Sequence, residues 1–197
     1  MRKNTPEELL KAHLKKSIEV KDNLFVCAPQ VDTAAQILLS AVQAGNKILL
    51  CGNGGSAANA DHFASDLLGT LSKSSKPRPA IAAIAISSNS TAITAIANNR
   101  GIERVFSRQI DALGKEGDVF VIFTTSGNSP NILAAVQSAK EKGMKIIGLT
   151  GATGGGLVPQ CDACIRIPSN ETALIQEAQL CIQHVLLEFV EGCICDE

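Results

Sequence analysis

Lys47-Ile48-Leu49-Leu50-Cys51-Gly52-Asn53-Gly54-Gly55-Ser56-Ala57-Ala58-Asn59-Ala60-Asp61-His62-Phe63-Ala64-Ser65-Asp66-Leu67 reads as strand, glycine loop and helix in immediate succession. The apolar run ends in glycines, which let a backbone turn sharply and approach a ligand closely. Ser56 is placed to cap the helix that follows, and such a turn offers unpaired amides to an anion. His62 and Asp66, four residues apart, share one face of that helix. An imidazole and a carboxylate so placed can hold a metal or pass protons; the plainer alternative is a solvated pair on an ordinary helix.

Outward from this unit the same alternation repeats. Toward the N-terminus, Thr5-Pro6-Glu7-Glu8 is a helix start, with Thr as cap, Pro in the first turn and Glu closing a capping box. Leu10, Leu14, Ile18 and Leu24 follow at roughly helical spacing, and a second helix runs from about Val31 to Ala44, stopped by Gly45. Toward the C-terminus the pattern predicts strand 80–86, helix 90–97, an irregular or helical piece 101–113, strand 118–123, helix 130–142, strands 145–149 and 163–167, and a long helix 171–191. Strands apolar throughout, alternating with helices, mean a parallel sheet covered on both faces. The segment Ser72 to Pro79 reads as a surface loop, and nothing resembles a repeat or a linker between domains.

A chain of 197 residues fits one domain, with 1–45 as a helical extension ahead of the first strand. Apolar residues make up 45% but aromatics only 3%, so Ala, Ile, Leu and Val must build the core. Formal charge is -1 with both signs interspersed, which leaves no basic stripe for a nucleic acid. The longest apolar run, Ala80 to Ile86, is far short of the ~20 residues that span a bilayer, and a soluble cytoplasmic protein is expected. Seven cysteines, an odd number in an α/β pattern, argue against a disulfide framework. Cys161-x-x-Cys164 and Cys193-x-Cys195 have chelate spacing for a four-cysteine zinc site; filling the core as small apolar residues is the competing use.

After Val119-Phe120-Val121-Ile122-Phe123 comes Thr124-Thr125-Ser126-Gly127-Asn128-Ser129, and Pro130 opens a helix. Hydroxyls, free amides and the positive end of a helix dipole are what a phosphate monoester needs when no Lys or Arg clamps it. A Ser/Thr turn with Ser129 as helix cap would account for one hydroxyl and leave Thr124, Thr125 and Ser126 unexplained. The glycine spacing after Cys51 is not a dinucleotide fingerprint and no P-loop Lys is present, so no nucleotide cofactor is expected. On the last helix Gln176 and His184 lie eight residues apart, about 80° around the axis. With His62 and Asp66 they make a candidate site of two imidazoles and oxygen donors, suited to zinc or another borderline divalent ion.

Five segments in order, Cys51 to Ala58, Thr91 to Asn98, Val105 to Gln109, Thr125 to Asn131 and Ile175 to Glu177, resemble the phosphoheptose isomerase family of the sugar isomerase (SIS) domain superfamily over nearly the whole chain. The resemblance implies a flavodoxin-like, doubly wound five-stranded parallel sheet with an N-terminal helical extension, in a homotetramer with sites between subunits. It implies one zinc per subunit held by His62, Asp66, Gln176 and His184, with Asp66 as base and His184 as acid. Sugar-phosphate contacts carry over to Asn53, Gly54, Gly55, Ser56, Asp66, Asn98, Asn99, Thr124, Thr125, Ser126, Ser129 and Gln176. The implied reaction interconverts sedoheptulose 7-phosphate and D-glycero-D-manno-heptose 7-phosphate through an enediol, toward the heptose of surface glycans.

The chain departs from the family's pattern at four places: Asp66 stands for Glu, Thr70 for Arg, Asn99 for Asp and Leu174 for Arg. Asp withdraws a carboxylate by ~1.5 Å relative to Glu, a displacement of the size that changes catalytic rates. Isomerisation of another sugar phosphate is therefore a second expectation. A third, from a different class, is a non-catalytic SIS protein that binds a sugar phosphate or a replication initiator.

Overall fold

The computed structural model describes residues 5–70 and 78–195. The loop expected at Ser72 to Pro79 lies outside these residues up to position 77. Two helices come first, α1 (Pro6–Asp22) and α2 (Ala28–Gln43), joined by a 3₁₀ turn over Asn23–Cys27. The expected capping box forms: Glu8 N–H donates to Thr5 Oγ1 at 3.2 Å and Thr5 N–H to Glu8 Oε2 at 2.8 Å. Helix α2 begins three residues before the expected start because Pro29, in its first turn, needs no N–H partner there.

Five strands follow, β1 (Ile48–Cys51), β2 (Ala83–Ala85), β3 (Val119–Phe123), β4 (Lys145–Thr150) and β5 (Ala163–Arg166). They form one sheet in the order β2-β1-β3-β4-β5, every neighbouring pair parallel. That is the flavodoxin-like order expected, and its direction of winding reverses between β1 and β3. Edge strand β2 is shorter than the expected 80–86, although Ile48 N–H still reaches Ala82 O and Ile86 N–H reaches Leu50 O, both at 2.8 Å. At the opposite end Asp118, wholly buried, accepts from the backbone amides of Lys47 and Lys115 at 3.0 Å and pairs with the Lys47 ammonium, which ties the starts of β1 and β3 in register.

Helices α3 (Gly55–Leu68) and α7 (Thr172–Cys195) join α1 and α2 around one face, whose core includes Leu50, Phe63, Phe123 and Leu186. The other face is covered by α4 (Ser90–Arg100), α5 (Ser107–Leu113) and α6 (Pro130–Glu141), over Leu49, Phe120, Ile122 and Ile132. Ile48, Leu49, Leu50 and all of β3 are fully buried, which is why these strands are apolar without alternation. Helix α7 is long and apolar enough to cross a bilayer by length and composition, but its Leu174, Ala178, Leu186 and Val190 are buried in the core.

Candidate functional site

The loops after β1 and β3 leave the carboxyl edge of the sheet at its switch point, where ligands of such folds bind. The first corrects one expectation. Gly54, not Ser56, occupies the N-cap of α3, with φ at 58° and no side-chain cap, and Ser56 is buried in the first turn. A left-handed φ at the cap favours glycine, so the helix starts two residues earlier than a Ser56 cap requires. Gly55 also gives room to α7: a Cβ there would fall 2.5 Å from Gln176 Nε2, so the Gln176 carboxamide lies directly against this loop.

The two loops are tied by a reciprocal amide pair. Asn53 Nδ2 donates to Asn131 Oδ1 at 3.0 Å, and Asn131 Nδ2 returns a bond to Asn53 Oδ1 at 2.9 Å. Asn131 was not singled out from sequence; its signal is a buried amide in the first turn of a helix whose dipole faces the site. In the second loop Thr124 Oγ1 accepts from Gly127 N–H at 3.2 Å and Ser126 Oγ from Asn128 N–H at 3.2 Å, which leaves both hydroxyl protons available to a ligand. Ser129 stands at the N-cap of α6 but makes no capping bond, so the capping explanation of that hydroxyl fails. Buried Gln179 holds the loop's start from behind, its Nε2 donating to Thr124 O at 2.9 Å and Leu149 O at 2.8 Å. Gln179, too, was not singled out from sequence; its signal is an amide on the apolar face of α7, three residues after Gln176.

His62, Asp66 and His184 converge, each offering a ligand atom within 4.8 Å of the others. Asp66 Oδ2 lies 3.1 Å from His62 Nε2 and 3.9 Å from His184 Nε2. Neither Asp66 Oδ2 nor His184 Nε2, both buried atoms, has a hydrogen-bond partner. Buried polar atoms are normally paired, and two orphans facing one another beside a second imidazole fit a divalent ion that would satisfy all three donors. Asn59 knits the same helices together, donating to Gln176 O at 3.1 Å and approaching Gln179 Oε1 at 3.5 Å.

Other candidates stand apart. Asn98 and Asn99 are exposed at the end of α4, bonded to each other at 3.2 Å, on the opposite face of the sheet from α3 and α7. Thr70 follows the end of α3, and Leu174 is buried in the core and offers nothing to the loops. The four-cysteine site does not form: among the described residues the histidine–aspartate cluster is the only group of three or more His, Cys, Asp or Glu donors close enough to share an ion. Cys51 fills the core, burial pushing its thiol well above the usual range, whereas Cys164 remains partly exposed.

The SIS domain family model matches residues 18–151. The phosphoheptose isomerase of Rhodospirillum rubrum is 41% identical over 189 residues, covering 96% of this chain and 99% of that protein. The phosphoheptose isomerase of Aneurinibacillus thermoaerophilus is 43% identical, covering 95% and 94%. The solved phosphoheptose isomerase of Neisseria gonorrhoeae superposes with a TM-score of 0.88 at 37% identity, covering 95% of this chain and all of that one. An identity of this size, sustained from end to end on a sheet of the same order, means that the chain belongs to the phosphoheptose isomerase family of SIS domain proteins.

Proposed function

We propose that this enzyme interconverts sedoheptulose 7-phosphate and D-glycero-D-manno-heptose 7-phosphate, with the His62, Asp66 and His184 cluster at the reacting carbons and the Thr124 to Ser129 loop on the phosphate. The observation that carries the reading is the pair of orphaned donors, Asp66 Oδ2 and His184 Nε2, on the two helices that flank the phosphate loop. Asp66 takes the proton from the carbon beside the carbonyl and returns it to the neighbouring carbon, while His184 gives a proton to the carbonyl oxygen as the enediol forms and takes up the proton of the adjacent hydroxyl as the enediol collapses to the new carbonyl. Thr124, Thr125, Ser126 and Ser129 bind the phosphate by hydroxyl donors and the N-terminus of α6, without a cationic side chain. Asn53, Gly54, Gly55 and Ser56 line the first loop, and Gln176 orients the sugar.

Zinc is the ion best suited to two imidazoles and a carboxylate, with Gln176 as fourth ligand and one ion per subunit. When bound it polarises the substrate oxygens as charge develops. The same reading carries a cytoplasmic homotetramer with sites between subunits, in which Asn98 and Asn99 reach substrate. Support for self-association comes from α1, where Leu10, Leu14 and Ile18 form an exposed stripe, and from the turn after it, where Phe25 is 85% exposed. A stripe of that kind on a soluble chain marks a contact surface.

Proton NMR of sedoheptulose 7-phosphate, incubated with wild type and with Asp66→Ala and zinc supplied to both, tests the assignment. Aldose anomeric signals with wild type alone support it; silence from both sinks the heptose reading, and equal signals from both remove Asp66 from the mechanism.

A further inference from the structure

The guanidinium of Arg78 is 1% exposed, and all three of its nitrogens donate. Nε reaches Glu191 Oε1 at 2.7 Å, Nη2 reaches Asp66 O at 2.7 Å, and Nη1 reaches Leu67 O and Pro79 O at 3.0 Å. Asp66 and Leu67 belong to the last turn of α3, whose carbonyls have no partner within the helix and carry the negative end of its dipole. Glu191, whose side chain is 6% exposed, lies on α7 seven residues after His184, two turns along the same stripe.

One buried cation therefore grips the residue that bears the site's carboxylate and, through Glu191, the helix that bears His184. Stability alone does not explain this arrangement, because a buried ion pair loses in desolvation much of what it gains in attraction, and apolar side chains of similar volume fill such a place as well. What a planar guanidinium adds is direction: its donors lie in fixed positions, so two helices bonded to it are held at one spacing and one register.

We propose that Arg78, with Glu191, is a positioning residue that sets α3 against α7 and so holds Asp66 at the separation from His184 that metal binding and proton transfer require. The proposal rests on the reading of His62, Asp66 and His184 as that centre. It assigns Arg78 no contact with substrate. Its action runs through the backbone of Asp66 and the packing of the two helices.

The test uses the full chain in three forms: wild type, Arg78→Lys, and the apolar double variant Arg78→Met with Glu191→Leu, which removes both charges together. Cobalt(II) serves as probe, its visible absorption reporting affinity and coordination geometry, alongside thermal unfolding of the metal-free proteins and steady-state kinetics. The double variant leaves the Asp66 carbonyl without its donor, so it is expected to unfold at a temperature several degrees lower, yet still as a cooperative fold that binds cobalt on the order of 10-fold more weakly, with a changed spectrum. Its kcat falls by about 10-fold or more while KM moves little. Lysine keeps the charge but not the planar fork, and is expected to fall between. Wild-type cobalt affinity, spectrum and kcat in the double variant would overturn the proposal, leaving the pair a structural element only. If the double variant does not fold, Arg78→Lys decides, and wild-type behaviour in cobalt binding and kcat overturns it equally. Failure of the wild-type protein itself to bind cobalt would count against the metal centre, and the kcat comparison would then still judge the positioning role.

Discussion

The imidazole of His62 stands edge to face against that of His184, with 5.3 Å between ring centroids and 64° between ring planes. Asp66 Oδ2 lies 3.1 Å from His62 Nε2 and 3.9 Å from His184 Nε2, and neither it nor His184 Nε2 has a hydrogen-bond partner. A ligand that binds the native state alone raises stability by mass action. Zinc at a hundred times its Kd should therefore stabilise the chelator-treated protein by about 2.7 kcal/mol. His62→Ala and His184→Ala should lose most of that increment while unfolding as cooperatively as wild type without metal. Thermal scans with and without zinc check this, and an increment equal in all three proteins would place the ion elsewhere.

Asn131→Ala removes both bonds of the amide pair that joins the β1 and β3 loops. Two neutral hydrogen bonds are worth on the order of 1–2 kcal/mol together, so KM for the sugar phosphate should rise by about tenfold. The proton-transfer residues are untouched, and kcat should change far less. Steady-state kinetics separates the two; a fall confined to kcat would contradict the role given to the pair.

Gln179→Leu keeps the bulk of a fully buried side chain and deletes its donors. Leu149 O retains the Thr124 amide at 3.0 Å, so the loss falls chiefly on Thr124 O at the start of the phosphate loop. Leaving one buried carbonyl without that donor costs about 1–3 kcal/mol. Urea unfolding should show the loss as a lower midpoint, and KM should rise because the loop loses its anchor.

Cys161 and Cys164 both face Gly148 on β4, where a Cβ would meet their sulfurs at 2.9 and 3.5 Å. A hydrogen bond from the Cys161 thiol stabilises the Cys164 thiolate; against burial, and with help from Thr150 and Arg166, it brings Cys164 down to about 7. The donor is correspondingly pushed up, by that bond and by burial. Because the thiolate is the nucleophile, iodoacetamide should modify Cys164 slowly below pH 6 and at a rate half-maximal near pH 7. Cys161→Ala should move that midpoint upward, toward an ordinary thiol near 8.5. Peptide mass spectrometry after timed labelling reads both residues, and preferential labelling of Cys161 would reverse the assignment.

Much of this architecture was legible in one dimension. Uninterrupted apolar runs such as Ile48 to Cys51 and Val119 to Phe123, each followed by a small-residue loop and a helical period, specify a parallel sheet covered on both sides, because only burial on two faces removes the alternation. The spacing of His62 and Asp66 likewise determined that they share a helix face. Periodicity names a face but not what meets it. That His184 arrives beside Asp66, that Asn131 answers Asn53, and that Arg78 reaches back to the Asp66 carbonyl are decided by the packing of α3, α6 and α7 on the sheet. The helix cap at Gly54 in place of Ser56 was decided the same way, since a backbone held at φ 58° outweighs a serine's capping preference. Local spacing sets which groups point together along one element; only long-range packing sets which elements stand close enough for those groups to act on one another.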